Sequence, residues 1–246
     1  MDFLLLAIVG AAFLCGGVIK GIIGIGLPLT AVTLMTQFID LRIAIPLLVV
    51  PIVVTNTFQA LRGGRFWILL REYWVLLATT CVSTFLGVYI LYRVDTGYLQ
   101  ATLGIVVVIY ALINLLAIRI AARQSDRIYL SPIAGVTSGI LAGTTGTVGI
   151  PMVIYFQALG LTKDIFVQAI GIQFMIAGTF LTIALWREGG VTLETMPISA
   201  FAMVPALLGM YLGERLRSRI SEPRFRTGVF VFLIVIGLNL VRKGLF

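Results

Sequence analysis

The stretch "KGIIGIGLPLT", residues 20–30, decides the fold because it places a lysine, three glycines and a proline in one of the most apolar parts of the chain. In lipid, irregular backbone survives only where protein or a water-filled cavity shields its N–H and C=O groups. Pro28 lacks a backbone donor and disfavours a helical residue before it. Because proline suits the first turn of a helix, we predict that a half-helix begins near Pro28.

Composition indicates an all-α integral membrane protein with almost no soluble domain. Of the 246 residues, 60% are hydrophobic and only 11% are charged, and the mean hydropathy is +1.10. Soluble domains carry roughly 25% charged residues. The apolar runs reach about 20 residues, which is the length that a membrane-crossing helix needs.

Charge and residue usage exclude several functional classes. A net charge of +8 suggests nucleic acid as a partner, but the basic residues lie in short loops between apolar segments. They are better explained by orientation in the bilayer, and no nucleic-acid partner is predicted. The chain has no histidine, and Cys15 and Cys81 form no metal-ligand or redox spacing. No nucleophile stands near a base and no cofactor motif is present, so we predict no metal, no cofactor and no enzymatic activity.

An internal repeat runs through the chain. "GGVIKGIIGIGLP" (16–28) aligns with "SGILAGTTGTVGIP" (138–151), so that Gly17 matches Gly139 at an offset of 122 (139 − 17). Elsewhere "FLGVY" (85–89) matches "LLGMY" (207–211) at that same offset. A shared offset in separate segments is typical of a duplication. We predict a first transmembrane repeat at 1–118, a basic cytoplasmic linker at 119–130 and a second repeat at 131–246.

Each predicted repeat holds one broken segment and three uninterrupted ones, which gives eight hydrophobic segments. The broken segments are 3–39 and 131–160, and the uninterrupted ones are 43–61, 68–92, 98–118, 165–186, 197–214 and 227–241. If the broken segment is one spanning helix, each half crosses four times and the halves are parallel. If it is a hairpin that enters and leaves on one face, each half crosses three times and the second half is inverted. A variant with five short crossings per half, ten helices in all, gives that same orientation.

Loop charges distinguish the two topologies. The four-crossing arrangement places nine basic residues on one face and eight on the other, whereas the hairpin arrangement places twelve against five. The twelve are Arg62, Arg65, Arg71, Arg119, Arg123, Arg127, Lys163, Arg215, Arg217, Arg219, Arg224 and Arg226. Twelve against five is a normal positive-inside bias. We therefore predict an inverted repeat with both termini outside.

The two breaks also predict an anion site. The N-terminus of a half-helix presents free N–H groups and about half a positive charge, and paired Gly/Pro-interrupted segments indicate a transporter's binding site. Lys20 adds a cation beside the first break, and threonine hydroxyls add donors beside the second. The predicted substrate-binding residues are Lys20, Gly21, Gly24, Gly26, Pro28, Asn56, Gln59, Gly143, Thr144, Thr145, Gly146, Thr147, Gly149, Pro151 and Gln173.

Simpler roles exist for each of these residues. Glycines in membrane helices also permit close packing of neighbouring helices, and amide side chains form helix–helix hydrogen bonds. Lys20 also has the alternative of extending its ammonium group to a lipid headgroup. If the two tips meet, the substrate would lie between a cation and hydroxyl groups.

The motif "GxxxGxxGIGxP" at 17–28, its echo "GILAGTTGTVGIP" at 139–151, the two four-segment halves and the basic linker "IRIAARQSDRIYL" resemble the TauE/SafE family. The commoner form of that motif is "GIGGG", from which this chain departs. The resemblance implies an anion transporter of the bacterial inner membrane whose substrate is a small inorganic or organosulfur anion. The candidate substrates are sulfite, thiosulfate and organosulfonates, and a homodimer is a further candidate assembly.

The leading functional hypothesis is a secondary transporter that works by alternating access around the half-helix tips. An anion channel that uses those tips is the alternative, and a single-channel current would distinguish it.

Overall fold

The structure, a computed structural model, describes residues 3–118, 121–147, 149–217 and 221–246. Arg119 and Arg219, which enter the loop-charge comparison, lie outside the described residues. The described chain is helical throughout. Its α-helices are α1 (Phe3–Ile23), α2 (Leu27–Met35), α3 (Leu41–Leu47), α4 (Val49–Leu61), α5 (Phe66–Glu72), α6 (Trp74–Arg93), α7 (Thr96–Leu115), α8 (Arg127–Thr145), α9 (Ile150–Ala158), α10 (Lys163–Arg187), α11 (Thr195–Arg217) and α12 (Glu222–Leu245).

Seven segments of the described chain are long and apolar enough to cross a membrane. They are Phe3–Ile23, Leu41–Leu61, Trp74–Arg93, Thr96–Leu115, Lys163–Arg187, Thr195–Arg217 and Pro223–Leu245. Six of them match the predicted uninterrupted segments, with ends that differ by a few residues. The predicted segment 68–92 is divided, because α5 ends at Glu72 and α6 begins at Trp74.

The chain forms two compact units. The first unit comprises Met1–Pro51, Val94–Ile118 and Gly190–Phe246, and the second comprises Ile52–Arg93 and Arg119–Gly189. Each unit therefore draws helices from both halves of the sequence.

In the first unit, α1 packs closely along α11. A Cβ added at Gly17 would overlap the carbonyl oxygen of Ala206, and one at Gly21 would overlap that of Met210. Residue numbers rise together along the two helices, so they run parallel. The spacing of four residues between small side chains is the pattern that lets membrane helices approach at backbone distance.

In the second unit, α6 and α8 pack in a similar way. A Cβ at Gly139 would lie 2.9 Å from the Thr84 nitrogen, and one at Gly143 would overlap the Val88 nitrogen. These helices also run parallel, and Ser83 donates a hydrogen bond to the Gly135 carbonyl across their interface at 3.3 Å.

A third break, which was not among the predicted ones, separates α3 from α4. Pro46 lies inside α3, and the regular helix is interrupted at Leu48, whose backbone angles stay helical, before α4 begins. In the first unit, Ser199 of α11 bonds to the backbone on both sides of this break. Its hydroxyl donates to the Leu47 carbonyl at 3.0 Å and accepts from the Val50 N–H at 3.1 Å. The freed backbone groups are thus satisfied by protein, as a break at membrane depth requires.

The end of α7 carries the one non-glycine residue with a positive φ in the described chain. Ala117 has φ +49°, and the Ile118 N–H donates to the Ile113 carbonyl at 3.0 Å, which is the hydrogen bond of a Schellman motif. Glycine occupies this position without steric cost, so Ala117→Gly is expected to stabilise the fold by about 0.5–1 kcal/mol. Thermal unfolding in detergent measures this change in stability. The control is Ala11→Gly, at an exposed site within α1, where glycine should lower the stability by about 1 kcal/mol. An equal loss of stability in both variants would contradict this assignment.

Candidate functional site

The first broken segment is a hairpin of α1 and α2, hereafter the first hairpin. A Cβ at Gly16 would lie 2.9 Å from the Leu27 carbonyl oxygen, and one at Gly26 would lie 3.2 Å from the Ile19 side chain. Numbers fall along α1 as they rise along α2, so the chain reverses between them. The reversal uses positive φ angles at Gly24 (+92°) and Gly26 (+108°), which only glycine adopts readily. This confirms the predicted half-helix start, since α2 begins at Leu27 with proline next in its first turn.

The far end of α2 is tied to α7 and α12 within the first unit. Lys243 donates to the Gln37 carbonyl at 2.6 Å, and Gln100 donates to the Thr36 carbonyl at 2.8 Å. A cation at this end stabilises the negative pole of the short helix. The nine residues of α2 extend for about 13.5 Å. Because its C-terminal end is tied to the ends of α7 and α12, its N-terminal tip lies partway along the length of these two helices.

Two buried polar side chains accompany the first tip. Lys20 lies on α1 one turn before the break and is only 5% exposed, so its side chain is enclosed by protein. Thr30, in the first turns of α2, is 1% exposed, and its hydroxyl has no hydrogen-bond partner. A buried hydroxyl without a partner is costly, which makes Thr30 a candidate site residue. Thr30 was not among the predicted site residues, although its position two residues after Pro28 places it near the start of the half-helix.

The second broken segment, α8 with α9, forms the second hairpin. The Ser131 and Tyr155 hydroxyls are 2.7 Å apart, and the Ala122 N–H donates to the Ala158 carbonyl at 2.9 Å. Residues far apart along the chain therefore meet, so α9 runs back along α8. Gly146 ends α8 with φ +70°, and α9 begins at Ile150, as predicted from Pro151.

The threonines at the second tip donate mainly to their own helix. Thr144 donates to the Ile140 carbonyl at 2.8 Å and Thr145 to the Leu141 carbonyl at 2.7 Å. The Thr145 and Thr147 hydroxyl oxygens are 2.6 Å apart, and both residues are buried. These protons are engaged, so the backbone N–H groups of α9 are the donors that stay available to an anion.

Gln173 of α10 brings an unsatisfied polar atom into the second unit. Its amide nitrogen donates to the Thr80 hydroxyl at 2.8 Å, whereas its side-chain oxygen is fully buried without a partner. The adjacent Phe174 is the side chain that a Cβ at Gly149 would overlap, so this part of α10 lies against the α9 tip. Ser138 is likewise buried with an unpartnered hydroxyl. Sequence reasoning did not single out Thr80 or Ser138, because a hydroxyl in an apolar helix is an ordinary occurrence.

Among the other predicted site residues, Gly21, Gly143 and Gln59 join neighbouring helices, whereas Asn56 bonds within its own helix. Gly21 and Gly143 lie in the two close helix contacts described above. Gln59 donates to the Val167 carbonyl at 2.8 Å and Asn56 to the Ile52 carbonyl at 2.8 Å, and Asn56 is 1% exposed. The contacts of Gly21, Gly143 and Gln59 are the simpler roles that the sequence left open. A part for these residues and for Asn56 in substrate binding stays a prediction.

Both hairpin tips share one electrostatic property. The residues before α2 and α9 are Gly26 and Gly149, and no side chain caps either helix. The N–H groups of the first turn are therefore not neutralised by a side-chain acceptor, and the positive pole of each helix dipole faces the break. Each tip alone is suited to hold a small oxyanion through the backbone.

Comparison with known proteins finds one family. The family model described as "Sulfite exporter TauE/SafE" matches residues 8–240, which is nearly the whole chain. No curated protein and no solved structure matches the chain significantly.

Proposed function

The chain belongs to the TauE/SafE family of membrane transporters for sulfur anions, and from that premise we propose that it is a secondary transporter of the bacterial inner membrane. It moves sulfite, thiosulfate or an organosulfonate by alternating access. Family membership itself makes the chain a multi-pass transporter and not an enzyme.

The observation that carries the proposal is the pair of uncapped half-helices. Two hairpins break at glycines, restart at proline and leave the first turn of the new helix without a side-chain cap. Soluble helices commonly use Ser, Thr, Asp or Asn at this position. Both half-helices lack a side-chain cap at matched positions in the sequence. This supports the proposal that a bound ligand supplies the hydrogen-bond acceptor that a capping side chain would otherwise provide.

Sulfur oxyanions suit these tips chemically. Each carries several acceptor oxygens on one compact group, and backbone N–H groups and hydroxyls contact such oxygens without fixing the rest of the molecule. The first tip has the buried lysine Lys20 close by along α1, and the second has unpartnered buried oxygens at Ser138 and Gln173 in its unit. The Gln173 amide can present either its oxygen or its nitrogen, because half a turn about its last side-chain bond exchanges the two.

We also infer that the two halves are an inverted repeat with both termini outside. The parallel, glycine-mediated packing of α1 on α11 and of α8 on α6 involves matched positions of the two halves, which supports the duplication. The orientation rests on the loop charges alone, twelve against five.

Gly24→Ala is the sharpest test of the tip. Gly24 has φ +92° and open space where a Cβ would stand, so alanine strains the break without a clash. We expect the flux of sulfite into proteoliposomes to fall about tenfold, which corresponds to roughly 1.4 kcal/mol of lost binding or positioning energy. The matched control is Gly189→Ala, since Gly189 has φ +76° and equally open space but lies at the end of α10.

Equal flux in the two alanine variants would overturn the role of the tip, because their backbone strain is alike. The same assay separates carrier from channel. Saturable flux without single-channel currents supports alternating access, and unitary currents in a planar bilayer would replace it with a channel.

A further inference from the structure

A pocket of about 340 Å³ lies in the first unit where α7 ends and α12 begins. It is separate from both hairpin tips along the chain. Its lining residues are Asn114, Leu115, Ala117, Pro223, Arg226, Thr227 and Phe230.

The packing of α7 and α12 explains why the pocket opens at this end. The two helices run antiparallel and approach at backbone distance at the other end, where a Cβ at Gly97 would lie 3.0 Å from the Gly244 carbonyl oxygen. Towards the pocket, large rings replace the glycines. Tyr110 and Phe230 meet edge to face with centroids 6.0 Å apart, and both are buried. These rings hold the helix ends apart and leave a cavity beyond them.

Arg226 gives the pocket its charge. Its guanidinium carbon lies 5.9 Å from the centroid of the Phe230 ring, and the side chain is partly buried. Among the side chains that the structure describes, which exclude that of Glu222, no carboxylate forms an ion pair with Arg226, and none of the lining residues is acidic. A partly desolvated guanidinium attracts an anion, and phosphate matches its planar donor geometry.

The rest of the lining selects an amphiphile over a free ion. Leu115, Ala117, Pro223 and Phe230 are apolar, which a hydrated phosphate does not favour. On α7 the pocket is flanked by Leu112 and Leu116, which are 40% and 66% exposed on a helix that spans the membrane. An acyl chain lying along them would place its phosphate at the helix ends, beside the arginine.

We propose that this pocket binds the phosphate of an anionic phospholipid, with the guanidinium of Arg226 as its principal contact. Basic pockets between spanning helices are known to suit anionic lipid headgroups. The bound lipid joins the end of α7 to the start of α12, where direct helix contact has ended. The proposal does not depend on which anion the protein transports.

The test is a lipid titration of the purified full-length protein in detergent, followed by thermal unfolding. Short-chain phosphatidylglycerol, phosphatidylcholine of equal chain length and inorganic phosphate are added separately. We expect phosphatidylglycerol alone to raise the melting temperature, and R226Q to weaken its apparent affinity at least about tenfold, as loss of a charge-assisted hydrogen bond implies. R224Q is the matched control, because Arg224 is an exposed neighbour that does not line the pocket.

The outcomes are decisive in either direction. An equal response of R226Q and the unaltered protein to phosphatidylglycerol overturns the proposal. So does an equal shift with phosphatidylcholine, since the headgroup charge would then not be recognised, or with inorganic phosphate, which would indicate a free-anion site. If R226Q does not fold, Thr227→Phe fills the pocket from an exposed position. A lost response in that variant supports the proposal, and an unchanged one overturns it.

Discussion

A leucine at Gly17 is expected to prevent the chain from accumulating as folded protein. The first added carbon would already overlap the Ala206 carbonyl oxygen of α11, and the Met210 nitrogen lies 3.0 Å from it. Overpacking costs about 1–3 kcal/mol where side chains can shift, but here the obstacle is backbone on a neighbouring helix. We expect a loss above about 3 kcal/mol, a large part of the 5–15 kcal/mol by which domains are stable.

Gly10→Leu provides the control for this substitution. Gly10 lies in α1 as well, and nothing stands within 4 Å of the position that a Cβ would take there. Fluorescence-detected size-exclusion chromatography should give a monodisperse peak for Gly10→Leu and aggregate for Gly17→Leu. Two similar monodisperse peaks would show that α1 and α11 do not meet at Gly17.

Removing the charge of Lys20 is expected to have the largest effect on transport. Lys20→Met keeps the length and apolar stem of the side chain but deletes its ammonium group, in a residue that is only 5% exposed. A hydrogen bond to a charged group contributes roughly 1.5–3 kcal/mol. Sulfite flux at low substrate concentration should therefore fall about 100-fold.

Lys163→Met is the matched comparison, because Lys163 is an exposed lysine at the start of α10. It should transport sulfite at the original rate. If Lys20→Met folds and keeps flux within about twofold, the ammonium group does not act on the anion, and Lys20 is a structural residue of α1.

Local stereochemistry explains what could be predicted from the sequence. Gly24 and Gly26 permit positive φ angles and Pro28 fixes its own φ wherever these residues stand, so the half-helix start in the first hairpin could be predicted without knowledge of its neighbours. The second hairpin followed from the alignment of Pro151 with Pro28. The hydropathy of the spans was equally local, and their ends shifted by only a few residues.

What could not be predicted depends on distant partners. The break between α3 and α4 is tolerated because Ser199, about 150 residues further along, accepts and donates at the gap. No pattern around Pro46 indicates that such a partner exists. The hydrogen bond of Gln173 could not be predicted for the same reason, since its partner Thr80 lies on a helix from the other half of the chain. The choice between packing and binding roles for Gly21 and Gly143 also required the facing helices to be known.

The pairing of α1 with α11 has a consequence for biosynthesis. Gly17 and Gly209 are 192 residues apart (209 − 17), so at 5–20 residues per second the ribosome needs about 10–40 s to supply the partner of the first helix. During that time α1 is inserted with its glycine face uncovered, whereas α8 leaves the ribosome when α6, whose Gly87 it contacts, is already in the membrane. The newly inserted α1 therefore waits longer for its partner than α6 waits for α8, and a nascent chain stalled before Thr195 should be more open to membrane proteases than one that already includes α11.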